Sequence, residues 1–224
     1  MTRILLELFL EGATAAGADC QSLRLAEKKI GYCRGCFQCW IQTPGVCGQD
    51  DDMNDLRARW QAADIFVLAT PVYVDGMTAQ AKTFIDRLFP ILDPHFREVD
   101  GRCRHLPRSQ KLPRLVLLSC CGFWELENFE GLVQHVQSIA KNLHTPYVGA
   151  VLRPASSVLA MDLMLPEPVS QVKSAVRQAG AELVEQGGFD ASTLAAIAKP
   201  LFSRETFIDS ANLYWDRQLD GKKS

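Results

Sequence analysis

The spacing of apolar and polar positions divides the chain into helices and buried strands. Ile4, Leu5, Leu8 and Phe9 share one helical face and Glu7 and Glu11 lie off it, which predicts an amphipathic helix over residues 2–17, closing near Gly17. Arg3 and the apolar residues after it imitate the start of a secretion signal, but Glu7 and Glu11 interrupt the stretch that a signal needs. Residues 22–25 read as a short strand, and residues 52–62 as a helix whose acidic start suits its dipole. Residues 64–70 (DIFVLAT) form an unbroken apolar run stopped by Pro71, the pattern of a strand buried on both faces. A helix over 77–88, a strand over 114–119 (RLVLLS), a helix over 126–143 and a strand over 147–152 follow. Strand, helix, strand, helix, strand in succession predicts parallel strands joined by right-handed crossovers. Residues 90–113 show no periodicity and read as a basic, proline-rich loop insertion. After Pro154, helices over 169–186, 192–197 and 203–218 predict a helical extension. The expected division is thus an α/β domain over residues 1–153 and an extension over 154–224.

Composition limits the function. With 47% hydrophobic and 22% charged residues and a net charge of −2, the chain reads as an ordinary soluble protein, with no basic excess for nucleic acid or an anionic membrane. No segment approaches the roughly 20 apolar residues of a membrane span. Eight cysteines would be many for a cytoplasmic protein, but they are clustered rather than spread as in a disulfide scaffold. Reduced or metal-bound thiols in a cytoplasmic protein are the expectation.

Cys33, Cys36 and Cys39 recur every third residue and Cys47 follows after seven more, so a tight turn brings the first three together and the fourth can close a thiolate cage. Four outcomes are open: an iron–sulfur cluster, a zinc site, redox-sensing thiols, or cysteines that only pack. Asp50-Asp51-Asp52 opens a helix, where capping is the better role. Lys82, Asp86 and Arg87 sit at helical spacing and read as structural. None of the four histidines lies beside a serine or cysteine nucleophile with a third partner, so a hydrolase triad is not indicated. Ligands of an open parallel sheet bind beyond the carboxyl ends of its strands. Two loops fall there: Thr70-Pro71-Val72-Tyr73, able to present an aromatic ring and backbone groups to a flat heterocycle, and Ser119-Cys120-Cys121-Gly122, small enough for close approach. The cysteine run is expected near the same edge.

Taken together, Cys33-x₂-Cys36-x₂-Cys39-Trp40, Pro44-Gly45-x-Cys47 and Asp51-Asp52-Met53, with ADIFVLATPVYVDGMTAQAKTFIDRL, LVLLSCCGFWELENF and the C-terminal LAAIAKPLFSRETFIDSANLYW, resemble the flavodoxin-like NAD(P)H-dependent FMN reductases and their iron–sulfur flavoprotein relatives. The resemblance implies a doubly wound α/β sheet of five parallel strands in order 2-1-3-4-5 with FMN at its edge. Pro71, Val72 and Tyr73 would line the flavin and Ser119, Cys120 and Gly122 its other side. Cys33, Cys36, Cys39 and Cys47 would hold a 4Fe-4S cluster in the iron–sulfur members. NAD(P)H would donate hydride, a small molecule or protein would accept electrons, and FMN sites at subunit interfaces imply a homodimer or homotetramer. The family opens with a strand and a phosphate-binding loop. This chain starts in what corresponds to the next helix, with Thr2 as the remnant of that loop, and a truncated start is expected. A flavin-free protein with zinc or redox-sensing cysteines is the alternative from another class.

Overall fold

The computed structural model describes residues 1–221. Its centre is a parallel sheet of β1 (Ile65–Pro71), β4 (Arg114–Cys120) and β5 (Tyr147–Arg153), in the order β1-β4-β5. The register aligns Thr70 with Ser119 and Cys120 with Arg153, so the carboxyl ends of all three strands finish level. Side chains alternate between two faces, as strand geometry requires. Val116, Leu118 and Val151 face a layer built by α1 (Thr2–Ala15), α6 (Pro166–Glu185) and α7 (Ala191–Ala198). Leu68, Leu115 and Leu117 face α4 (Ala79–Asp86) and α5 (Glu130–Leu143). Helices therefore cover both faces, and the doubly wound arrangement forms. A third cluster joins Met53, Leu56 and Trp60 of α3 (Met53–Ala62) to Phe84, Leu88 and Leu143.

The α1–α6 contact is a backbone contact. A β-carbon at Gly12 would lie 1.8 Å from the Arg177 carbonyl oxygen, and one at Gly180 would lie 2.0 Å from that of Phe9. Each helix thus seats its glycine against the other's main chain, and the exposed Arg177–Glu11 ion pair (2.7 Å) edges the joint. From α6, the buried Glu182 carboxylate accepts from Thr193 Oγ1 (2.5 Å) and the Asp190 N–H (3.0 Å), which fixes the start of α7. Buried Arg153 closes the other end of α7 by donating to the carbonyls of Ile197 (2.6 Å) and Lys199 (2.9 Å), and burial pushes its pKa down to about 10. By contrast, α8 (Arg204–Asp220) buries no side chain and exposes Ile208, Leu213, Tyr214, Trp215 and Leu219.

Two expectations are corrected. The strand expected over residues 22–25 is absent: residues 20–24 are irregular and Leu25–Glu27 is a 3₁₀ turn. A strand persists only with a ladder partner, and β1 has β4 as its one partner among the described residues, which supply three of the five expected parallel strands. The loop expected over 90–113 contains an antiparallel hairpin of β2 (Leu92–Val99) and β3 (Arg102–Pro107). Asp100 and Gly101, at φ of 51° and 69°, form its turn, the left-handed pair that an Asp-Gly dipeptide favours.

Replacing Gly12 or Gly180 with alanine is expected to force α1 and α6 apart and to cost about 1–3 kcal/mol or more of unfolding free energy. Urea denaturation checks this, with Gly122→Ala, whose β-carbon would meet open space, as the neutral comparison.

Candidate functional site

At the carboxyl end of the sheet, β1 runs into a turn closed by Tyr73 N–H to Gly76 O (2.9 Å) and Gly76 N–H to Tyr73 O (3.2 Å). Val74 and Asp75 at its tip have φ of 47° and 59°. A β-branched residue in the left-handed region is strained, and here its side chain is fully exposed, so no burial offsets the strain. The turn is held from three sides. The Val72 N–H donates to Cys120 O (3.0 Å). The Thr78 N–H donates to Thr70 Oγ1 (3.1 Å). Gly131, in the first turn of α5, admits the Asp75 carbonyl, which a β-carbon there would meet at 3.2 Å.

The residues expected at this edge converge, but not all face outward. Ser119 is fully buried and donates its hydroxyl to Thr70 O (2.6 Å), bracing the first loop. Cys120 is buried with its Sγ 3.0 Å from Thr2 Oγ1, which joins the second loop to the start of α1. That helix start has no capping side chain. Cys121 is buried too, and burial raises its thiol pKa. What faces solvent is Tyr73 (65% exposed), Phe123 and Gly122, with open space over Gly122.

The four cysteines of the run come together elsewhere. They line one cavity with Arg87, Phe89 and Pro90. These residues follow the last turn of α4, whereas the Tyr73 turn leads into its first. Eight residues of helix, about 12 Å, separate the two ends. The expectation that the cysteine run shares the flavin edge is therefore corrected. The chain doubles back through α4, and the Arg87 side chain anchors the cysteine loop at the far end.

The loop is shaped by left-handed residues at Gly35, Phe37 and Gly45 and by the short helix α2 (Gln38–Ile41). Trp40 of α2 stacks on Phe89 with ring centroids 4.4 Å apart and donates its Nε1–H to Phe89 O (3.3 Å). His105 of the hairpin packs on Trp40 at 4.7 Å and on Phe96 at 4.3 Å, so β3 covers this side. Cys33 and Cys36 are exposed, Cys47 is half-buried and Cys39 is buried. Burial raises the Cys39 pKa, and the nearby thiols of Cys47, Cys33 and Cys36 raise it further, so the four sulfurs sense one another. Among the described residues no three His, Cys, Asp or Glu side chains are placed to hold one metal ion. A single zinc draws thiolates to about 2.3 Å. Thiolates are the donors that iron–sulfur clusters take, and four cysteines line this one cavity.

Two arginines and an aspartate complete this site. Arg87, 1% exposed, donates through Nη1 to Gly31 O (2.6 Å) and Asp51 Oδ2 (2.7 Å) and through Nη2 to Asp51 Oδ1 (2.9 Å). The nearby Cys47, like Asp51, favours the charged form of Arg87. Burial works to raise the Asp51 pKa, but the bonds from Arg87 and from the Gly31 and Met53 N–H groups outweigh it and the net shift is downward. Asn54 donates to the carbonyls of Cys47 (3.3 Å) and Gln49 (3.4 Å). One turn further along α3, Arg57 is buried with its Nη1 unpartnered. Sequence reading took Arg87 and Asp51 as structural and passed over Arg57. The usable signal was that Arg57 and Arg87 interrupt the apolar stripes of their helices, beside Leu56 and Trp60 and between Phe84 and Leu88.

Residues 1–103 match the family of NADPH-dependent FMN reductases. An iron–sulfur flavoprotein from Archaeoglobus fulgidus is 40% identical over 86 residues, 38% of this chain and 38% of that protein. The match thus spans about two fifths of that relative's length. Among solved structures, a putative quinone reductase from Klebsiella pneumoniae aligns with a TM-score of 0.60 at 15% identity, over 82% of this chain and 80% of that one. An FMN-dependent NADH-azoreductase from Bacillus anthracis, in complex with FMN, aligns at 0.59 with 12% identity, over 83% and 92%. At these identities the likeness to the solved structures is one of fold.

Asp51→Asn leaves Arg87 buried without its counter-charge and is expected to cost about 3–5 kcal/mol. Because the Asp51 pKa is depressed in the fold, its contribution is complete above the unfolded value near 3.9 and is lost as pH falls below it. Denaturation from pH 7 to pH 3 should show a loss of stability below about pH 4 that is smaller in Asp51→Asn.

Proposed function

We propose, from the match of its residues 1–103 to the NADPH-dependent FMN reductases, that the chain is a flavin-dependent oxidoreductase that takes hydride from NAD(P)H and passes electrons to a small-molecule or protein acceptor. The observation that carries this reading is the strained, fully exposed turn at Val74 beside the open space over Gly122, at the carboxyl edge of the parallel sheet. That edge is where doubly wound folds bind their ligands. Pro71, Val72 and Tyr73 on one loop and Gly122 and Phe123 on the other would hold the flat ring. Thr2 and the uncapped start of α1 would face the phosphate, whose charge the helix dipole favours. Bound there, FMN supplies hydride acceptance and the release of electrons one at a time. The protein's own part is to hold the ring between the loops while Ser119 and Thr70 keep the loop backbone fixed. No side-chain acid or base is required for the hydride step.

A second reading is favoured by the cysteine cavity: the chain is an iron–sulfur flavoprotein in which Cys33, Cys36, Cys39 and Cys47 hold a 4Fe-4S cluster. The residues fit that group in donor chemistry, and the buried charge of Arg57, which has no ion-pair partner among the described residues, suits an assembly that is negative with its four thiolates. In both readings the clustered free thiols favour a reducing, cytoplasmic setting. The apolar side chains exposed on α8 favour a homodimer or homotetramer.

Protein purified without oxygen is expected to show flavin absorption that NAD(P)H bleaches, with a broad shoulder from the cluster. A colourless protein would count against both readings and in favour of a flavin-free thiol protein. Cys36→Ser is expected to lose most of its iron while keeping flavin, and full iron retention would overturn the cluster assignment. Light scattering is expected to give two or four chains per particle.

A further inference from the structure

The helix that packs under the cysteine loop buries a charge that the architecture does not otherwise use. Arg57 lies on the buried stripe of α3 with Leu56 and Trp60 and is 7% exposed. It makes no ion pair among the described residues, and its buried Nη1 has no hydrogen-bond partner. A buried guanidinium without a counter-charge is destabilising, and an apolar residue of similar length would fill the same space without that penalty. The charge is therefore unfavourable unless an anion completes it.

The surroundings identify that anion. Asn54, three residues earlier and on the same helix face, holds the Cys47 carbonyl, which brings the cysteine loop onto this side of α3. The ionisable groups that act on Arg57 are Cys47 and Cys39, which attract it as thiolates, and Arg87, which repels it. Arg87 already has its match in the bidentate Asp51 carboxylate. The thiolate set is what remains to balance Arg57.

We propose that Arg57 is a positioning residue for the iron–sulfur group and raises its reduction potential, a role that rests on the cluster reading above. Adding one electron increases the negative charge held by the four thiolates and changes no covalent bond. A fixed guanidinium beside Cys39 and Cys47, in a setting of low dielectric, stabilises the reduced form more than the oxidised one.

The test is a dye-mediated redox titration of the anaerobically purified full chain, followed by electron paramagnetic resonance, with iron measured on every sample. Wild type is compared with Arg57→Gln, Arg57→Lys and a surface control on the same helix, Arg59→Gln. The expected result is a lower potential for Arg57→Gln, with Arg57→Lys and Arg59→Gln close to wild type. Loss of iron from Arg57→Gln but not from Arg57→Lys would also support the role, since charge rather than shape then holds the group. Equal potentials in wild type and Arg57→Gln would overturn it. So would Arg57→Lys behaving like Arg57→Gln, in potential or in lost iron, because packing would then be the explanation. Wild-type protein without iron would instead overturn the cluster reading, and this role with it.

Discussion

The candidate chemistry of this chain depends on one buried ion pair. Arg87 leaves the end of α4, crosses to the head of α3 and takes Asp51 in a two-pronged grip while bonding Gly31 O. A bidentate guanidinium–carboxylate pair fixes both distance and plane. The pair therefore joins three segments that have little regular structure of their own: the residues before the cysteines, the residues after them and the exit of α4. Inside that frame the loop can hold left-handed turns at Gly35, Phe37 and Gly45 and keep four cysteines around one cavity.

A second constraint acts on the other face of the sheet. Gly12 and Gly180 allow α1 and α6 to touch along their backbones, and α6 then carries α7 through Glu182. Residues 166–198 pack into the same core as residues 2–15, over Val116, Leu118 and Val151. The start of α1 is thereby held at the carboxyl edge of the sheet, with Thr2 against Cys120. The position of that helix start is set by packing far from it.

The two candidate sites sit at opposite ends of α4, which gives each a different local physics. At the carboxyl edge of the sheet the polar groups are satisfied within the loops, by Ser119, Thr70 and Thr78, and strain is concentrated at the exposed Val74. Around the cysteine loop the imbalance is electrostatic: Arg87 is matched by Asp51, while the buried Arg57 has no ion-pair partner among the described residues. A rigid backbone shape suits a flat neutral ring, and buried positive charge suits an anionic thiolate assembly.

The sequence by itself determined the three parallel strands and the helices that cover them, and it singled out the cysteine run and the two sheet-edge loops without placing the one relative to the others. These are local or periodic properties: runs such as DIFVLAT and the alternation of apolar faces are fixed by burial alone. It also held the Asp100-Gly101 hairpin signal, which reads clearly once its neighbours are seen as strands. Only the tertiary structure decided that residues 22–25 would lack a strand, because a strand requires a partner as well as a propensity. Only it decided that Ser119 and Cys120 turn inward, and that Arg57, Arg87 and Asp51 gather around the cysteines. Those outcomes depend on contacts between residues 20 to 118 positions apart, and the free energy of a buried charge is set by neighbours that no local window contains.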